Sequence, residues 1–118
     1  ADQHGGPTPA AAIAQSLLAL ARRVLQGEEL PWGTYHYAGN PATPWHGFAS
    51  PIVDEAYALG LMTRKPAVHA ITSAEYPLPA PRPANSRFDM PNTENKLGLK
   101  APAWLPALRD VLHSIKAP

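Results

Sequence analysis

Between Tyr76 and Asp89 the chain reads Tyr-Pro-Leu-Pro-Ala-Pro-Arg-Pro-Ala-Asn-Ser-Arg-Phe-Asp, with prolines at positions 77, 79, 81 and 83. Each proline fixes φ and removes a backbone donor, so this run can be neither helix nor central strand. A stiff extended rod is expected, and the folded-looking segments on both sides of it predict that it packs on the domain. At its end Arg82, Asn85, Ser86 and Arg87 form a polar group suited to an anionic ligand through charge-assisted hydrogen bonds.

A chain of 118 residues fits one small domain and can bury roughly two thirds of its unfolded surface. Its 15 prolines and 8 glycines break up regular structure, yet 45% apolar and only 16% charged residues argue against disorder. A net charge of +1, with basic residues scattered along the chain, gives no broad attraction for nucleic acid or acidic membranes, and neither is expected as a partner. With no cysteine, disulfides, thiolate chemistry and cysteine-ligated zinc are all excluded, which suits a reducing cytoplasm. The Ala10–Val24 run is interrupted by Gln15, Ser16, Arg22 and Arg23 and resembles neither a membrane span nor a signal peptide.

The element pattern predicts an α+β arrangement of several helices and a few short strands. Thr8 is a candidate N-cap, with Pro9 at the first helical position, for a helix carrying Ile13, Leu17, Leu20 and Val24 on one face and ending at Gly27. Gly33 to Ala38 is rich in β formers and predicts a strand with Tyr35 and Tyr37 on one face and His36 on the other. Thr43-Pro44 and Ser50-Pro51 both resemble helix starts, so a kink or double start is expected near Ser50, before an apolar stripe of Ile52, Val53, Ala56 and Leu59 that stops at Gly60. Ala67 to Thr72 predicts a second strand. Asp89 is a candidate cap for a short helix carrying Leu97 and closed by Gly98. Pro102 is expected to open a last helix with Trp104, Leu108, Val111, Leu112 and Ile115 inward and Pro106 near its first turn. Two short strands rarely make a self-sufficient sheet, so a third strand or another domain is needed.

Other chemistry-bearing residues read as structural. No two of His4, His36, His46, His69 and His113 share the i, i+4 spacing of a zinc site, so no metal is expected. Asp54 and Glu55 are helix neighbours and point to different faces. Trp32, Trp45 and Trp104 suit burial as anchors, and Trp45, just after a turn, is the one that also suits ligand contact.

The opening Asp2-Gln3-His4-Gly5-Gly6-Pro7-Thr8 followed by Ile13-Ala14, then Gly33-Thr34-Tyr35-His36-Tyr37-Ala38-Gly39, Trp45, Phe48-Ala49, Glu55-Ala56, Arg82-Pro83-Ala84-Asn85-Ser86-Arg87-Phe88-Asp89, Leu97-Gly98-Leu99 and Trp104 resembles the dTDP-4-dehydrorhamnose reductase family over nearly the whole chain. The resemblance implies that residues 1–118 are the C-terminal, nucleotide-sugar-binding portion of an extended short-chain dehydrogenase whose complete form reduces dTDP-4-dehydro-L-rhamnose with NADPH or NADH. It implies a dTDP-sugar as ligand and an N-terminal Rossmann domain as partner, with the cofactor pyrophosphate seated on a glycine-rich turn there. Neither that turn nor a Tyr-x-x-x-Lys pair is present: none of Tyr35, Tyr37, Tyr57 or Tyr76 has Lys four residues on. The sequence therefore reads as a fragment with no catalytic residue of its own, expected neither to bind NADPH nor to catalyse reduction alone.

By the same resemblance Arg82 is the first choice for the diphosphate, since a guanidinium fork matches phosphate oxygens. Asn85 and Ser86 suit sugar or ribose hydroxyls, or equally hydrogen bonds to the turn backbone. Arg87 reads as a solvated charge, and Gln3, which the resemblance places near the sugar pocket, reads rather as a backbone-positioning residue because its strand is cut short. An inter-subunit magnesium ion held by the last helix, as in some relatives, finds no acid in Leu112–Ile115. Surfaces intended for the Rossmann half predict an isolated chain that is marginal or homo-oligomeric. Two alternatives stay open: a non-catalytic binding module whose polyproline rod docks in an aromatic groove, like a regulatory relative of this fold, and another nucleotide-sugar epimerase or reductase.

Overall fold

The computed structural model describes residues 1–116. Its elements are β1 (His4–Gly5), α1 (Ala10–Leu25), β2 (Thr43–Pro44), α2 (Trp45–Ala58), β3 (Asn85–Ser86), α3 (Pro91–Leu97) and α4 (Trp104–Lys116). The architecture is α+β, with four helices around a small sheet of order β2-β1-β3. In the antiparallel β1–β2 pair His4 faces Pro44 and Gly5 faces Thr43; in the parallel β1–β3 pair His4 faces Asn85 and Gly5 faces Ser86. One edge strand of this sheet, β3, comes from the end of the proline segment. Each strand is short because Pro7, Pro41, Pro44 and Pro83 border or enter the ladders and remove donors that a longer pairing requires.

The two strands expected from composition are not formed. Gly33–Ala38 is extended, but its polar groups are met by side chains: Ala38 N–H donates to Met90 Sδ at 3.3 Å, and the buried Thr93 Oγ1 donates to the His36 carbonyl at 2.6 Å. β propensity alone builds no ladder, since pairing needs a partner strand in register. The alternation itself holds, with Tyr35 and Tyr37 half-buried and His36 exposed. Ala67–Thr72 is irregular, and side chains again meet its polar groups: His46 Nε2 meets the Val68 carbonyl at 3.1 Å, and Glu75 accepts from Thr72 N–H and hydroxyl at 2.7 and 2.9 Å, closing a turn.

All four helices appear where apolar periodicity and glycine stops place them, with Gly27, Gly60 and Gly98 in the left-handed region just beyond α1, α2 and α3. Their starts differ from expectation. Pro9 and not Thr8 precedes α1, because the Thr8 hydroxyl is committed elsewhere; Met90 and not Asp89 precedes α3, with Pro91 first in the helix. α2 starts once, after Pro44, and runs through Pro51. Pro51 has no N–H for the Gly47 carbonyl, and Ser50 Oγ donates to the His46 carbonyl at 2.9 Å. α4 starts at Trp104 and not at Pro102, so Pro106 falls in its first turn.

The core lies where α2 packs on α4 and where Met90 and α3 meet the segment around Ala38; Leu30 is buried too. Ala56, Trp104, Leu112, Met90 and Leu97 are buried in it. Trp104 meets Phe48 edge-on, with centroids 5.4 Å apart, and its Nε1–H donates to the Pro41 carbonyl at 2.8 Å. Arg109 bonds Glu55 at 2.6 Å across the two helices. Val111 and Ile115, expected inward, are 52% and 64% exposed because the apolar stripe of α4 is wider than the face that α2 covers.

α1 buries no residue, and Leu17, Leu18 and Leu25 are 63%, 56% and 86% exposed. It is tied down at its C-terminal end, where Arg23 donates to the Leu97 carbonyl at 2.6 Å and to Glu28 at 2.8 and 2.5 Å. The radius of gyration of 17.5 Å exceeds the roughly 13 to 14 Å of a compact chain this long. Likewise the accessible surface of 8440 Å² exceeds the roughly 6,200 Å² of a compact monomer of this mass. The apolar face of α1 and the proline segment are among its exposed parts.

Candidate functional site

A cavity of about 380 Å³ opens beside β1. Its floor is backbone, at Gly5, Gly6 and Pro7, and its position follows from close packing. A Cβ at Gly6 would stand 2.5 Å from the Gly39 carbonyl oxygen, and one at Gly39 would overlap the Pro7 carbonyl. Thr8 locks the same strap: its hydroxyl donates to the Gly6 carbonyl at 2.9 Å and accepts from Gly39 N–H at 3.0 Å. The Gly-Gly-Pro-Thr motif is therefore a packing device, in which the missing side chains let two backbone segments touch.

Aromatic rings form the walls. Trp45, at the start of α2, and Phe48 are tilted at 59° with centroids 6.4 Å apart. Opposite them stands Phe88, backed by His36 in a parallel stack 4.8 Å away. Polar groups come from Gln3, Thr8, Thr43 and Ser86. Ser86 Oγ donates to the His4 carbonyl at 3.1 Å, and a Cβ at Gly5 would come within 2.9 Å of that oxygen. No charged side chain lines this cavity. Apolar ring faces with neutral donors and acceptors at the edges match a sugar ring, whose C–H faces pack on aromatics while its hydroxyls bond amides and hydroxyls.

Gln3, Trp45 and Ser86, three of the candidate ligand contacts in the sequence, line this one cavity. Arg82 does not: it is exposed and lines neither this cavity nor the two smaller ones nearby. The rod on which it sits, expected to pack on the domain, is exposed throughout from Pro77 to Pro83, since alternate prolines leave no continuous apolar face to bury. Asn85 pairs in β3 and its Oδ1 accepts from Arg87 N–H and Nε at 3.1 and 2.8 Å, the local turn bonding open to it from the start. Arg87 is exposed and also lines a second cavity of about 260 Å³ with Glu94.

Phe48, Phe88, Thr8 and Thr43 were not foreseen as lining residues, because helix, turn and strand periodicity carry no information about which elements meet. A further contact was equally hidden. Ser73 donates from N–H and Oγ to the Asp2 carboxylate at 3.0 and 2.9 Å, and its Oγ accepts from Gln3 Nε2 at 2.9 Å. The Ser73 N–H, and then its hydroxyl, hold the Asp2 carboxyl below its ordinary range. Thr72 lowers Glu75 in the same way. Among the described residues no group of three or more metal-ligating side chains comes together, and no helix is long and apolar enough to cross a membrane.

The model of the RmlD substrate binding domain family matches residues 1–117. The chain belongs to this family. The RmlD substrate binding domain described here is 40% identical over 111 residues to the dTDP-4-dehydrorhamnose reductase of Aggregatibacter actinomycetemcomitans, covering 94% of this chain and 38% of that protein. It is 34% identical to the dTDP-4-dehydrorhamnose reductase of Sinorhizobium fredii, covering 98% of this chain and 38% of the relative. Among solved structures, a dTDP-4-dehydrorhamnose reductase from Bacillus anthracis in complex with NADP superposes with a TM-score of 0.73 at 26% identity, over 97% of this chain and 36% of the other. The RmlD domain therefore spans a little over a third of the length of the relatives it matches.

Proposed function

We propose that this chain is the sugar-nucleotide-binding part of a dTDP-4-dehydrorhamnose reductase, which reduces dTDP-4-dehydro-L-rhamnose to dTDP-L-rhamnose with NADPH or NADH in the cytoplasm. The observation that carries the reading is the neutral cavity with aromatic walls beside β1, which gathers Gln3, Trp45 and Ser86. In this reading Trp45 and Phe88 pack on the ring, Gln3 and Ser86 bond its hydroxyls, and Asn85 holds the adjoining turn. The cavity has no cation, so a diphosphate attached to that sugar must lie outside it. Arg82 is four residues from Ser86, a span of roughly 13 Å along extended chain, and remains the diphosphate contact of this proposal.

The residues present do not fit a dinucleotide. The turn that leads from β1 into α1 carries Pro7 and Pro9, which offer no N–H, and Thr8, whose hydroxyl is already bonded. A pyrophosphate cradle needs those donors free. The cofactor and the proton-donating pair are accordingly assigned to a Rossmann part in the remaining length that the relatives have, and that part covers the exposed leucines of α1. The exposed rod also supports a second reading, a polyproline segment docking in a partner's aromatic groove.

The test is reduced-nicotinamide oxidation by the full-length protein with dTDP-4-dehydro-L-rhamnose. Turnover that needs this substrate supports the first reading; no turnover, with the sugar nucleotide still unbound at millimolar concentration, contradicts it and favours the second.

A further inference from the structure

Gln3 is held by an unusually directional arrangement. The Asp2 carboxylate can only accept hydrogen bonds, and it accepts both N–H and Oγ–H of Ser73. A serine hydroxyl has one hydrogen, so Ser73 Oγ presents a lone pair to its other neighbour, the Gln3 amide at 2.9 Å. A lone pair requires a donor; an amide turned the other way would set Oε1 against Oγ. The nitrogen of Gln3 must therefore face Ser73, which leaves Oε1, with no hydrogen-bond partner among the described residues, as the free acceptor of a residue that lines the cavity.

We propose that Ser73, oriented by Asp2, is a positioning residue that fixes the amide of Gln3 so that Oε1 selects a hydroxyl donor on the sugar entering the cavity. This rests on the cavity being the sugar site. Nothing in local sequence signals it, because Ser73 lies 70 positions from Gln3 in an irregular segment. The acceptor favours a sugar that keeps a free hydroxyl at this wall over its deoxy or O-methyl analogue, since an acceptor that the bound sugar covers without a donor weakens binding.

Two readouts on the full-length protein test this. In the first, the side-chain amide protons of Gln3 are followed by NMR without ligand: wild type is expected to show one proton protected from exchange and shifted from its partner. Ser73→Ala should lose both features, and Ser73→Thr should keep them. A Gln3 amide already averaged in wild type, or unchanged in Ser73→Ala, overturns the proposal. In the second, calorimetry compares dTDP-L-rhamnose with dTDP. Ser73→Ala is expected to weaken dTDP-L-rhamnose by about three- to tenfold, a net hydrogen bond's worth, to leave dTDP unchanged, and to have no further effect in a Gln3→Leu background. An equal loss for dTDP, or an additional loss in Gln3→Leu, shows a merely structural role and overturns the proposal. Failure of wild type to prefer dTDP-L-rhamnose over dTDP removes the sugar-site reading, while the amide signals still decide the orientation of Gln3.

Discussion

The strap at Gly5–Thr8 and the rod at Pro77–Pro83 are both irregular, proline-bearing segments, and they reach order by opposite routes. The strap has contacts: glycines allow its backbone to touch Gly39, Thr8 bonds both segments, and three residues of it floor a cavity. The rod has only its own stiffness. Locked φ values reduce the conformations open to an unfolded chain and a folded one alike, so they create rigidity without burial. A stiff segment therefore need not be a packed one, and the polar heads at the end of the rod are positioned only where β3 joins the sheet, at Asn85 and Ser86.

The largest effect that can break this contrast is steric. Gly39→Ala drives a methyl into the Pro7 carbonyl and is expected to destabilise the full-length protein by about 3 kcal/mol in denaturant unfolding. Pro79→Ala, in the exposed rod, should cost less than about 1 kcal/mol. Comparable losses at the two sites would erase the distinction. Next in size is ligand binding: Arg82→Ala is expected to weaken dTDP and dTDP-L-rhamnose alike by about 1.5 to 3 kcal/mol, the worth of a hydrogen bond to a charged group, by calorimetry. An unchanged dissociation constant removes Arg82 from the site. Trp45→Ala sharpens the division of labour, since it should weaken only dTDP-L-rhamnose, by about 1 kcal/mol; an equal loss for dTDP would place the base or phosphates against the ring.

The smallest effect is a pH dependence. The Asp2 carboxyl is lowered in the folded chain, so its contribution is present above the ordinary aspartate value and is lost as pH falls through the depressed one. Asp2→Asn should therefore reduce the midpoint of unfolding near neutral pH and leave it nearly unchanged at about pH 2. A difference that persists in acid would show that the carboxylate charge is not what holds Ser73.

The same contrast explains what the sequence could tell. Helices were legible from short-range signals: apolar spacing places α1, α2 and α4, a cap candidate and a glycine stop place α3, and Gly27, Gly60 and Gly98 end or follow the first three. Caps were less so, because Thr8 is drawn away by Gly39, a partner 31 residues distant. Strands failed where pairing is non-local: Gly33–Ala38 has strand composition but finds Met90 and Thr93, while Asn85–Ser86 lacks it and joins β1. Of the residues that line the cavity, Gln3, Trp45 and Ser86 were candidates through the motifs that carry them. Phe48 and Phe88 were not singled out, since only the fold brings their rings to one opening. The rod's stiffness was legible, its exposure was not.

The central claim is that the cavity between Gln3, Trp45, Ser86 and Phe88 receives the sugar of a dTDP-sugar. A crystal structure of the full-length protein with dTDP-L-rhamnose tests it most directly. The account predicts the rhamnose ring within about 4 Å of the Trp45 and Phe88 rings, with the diphosphate outside the neutral cavity and nearer Arg82. Rhamnose bound elsewhere, or phosphates seated between those two aromatic rings, would contradict it.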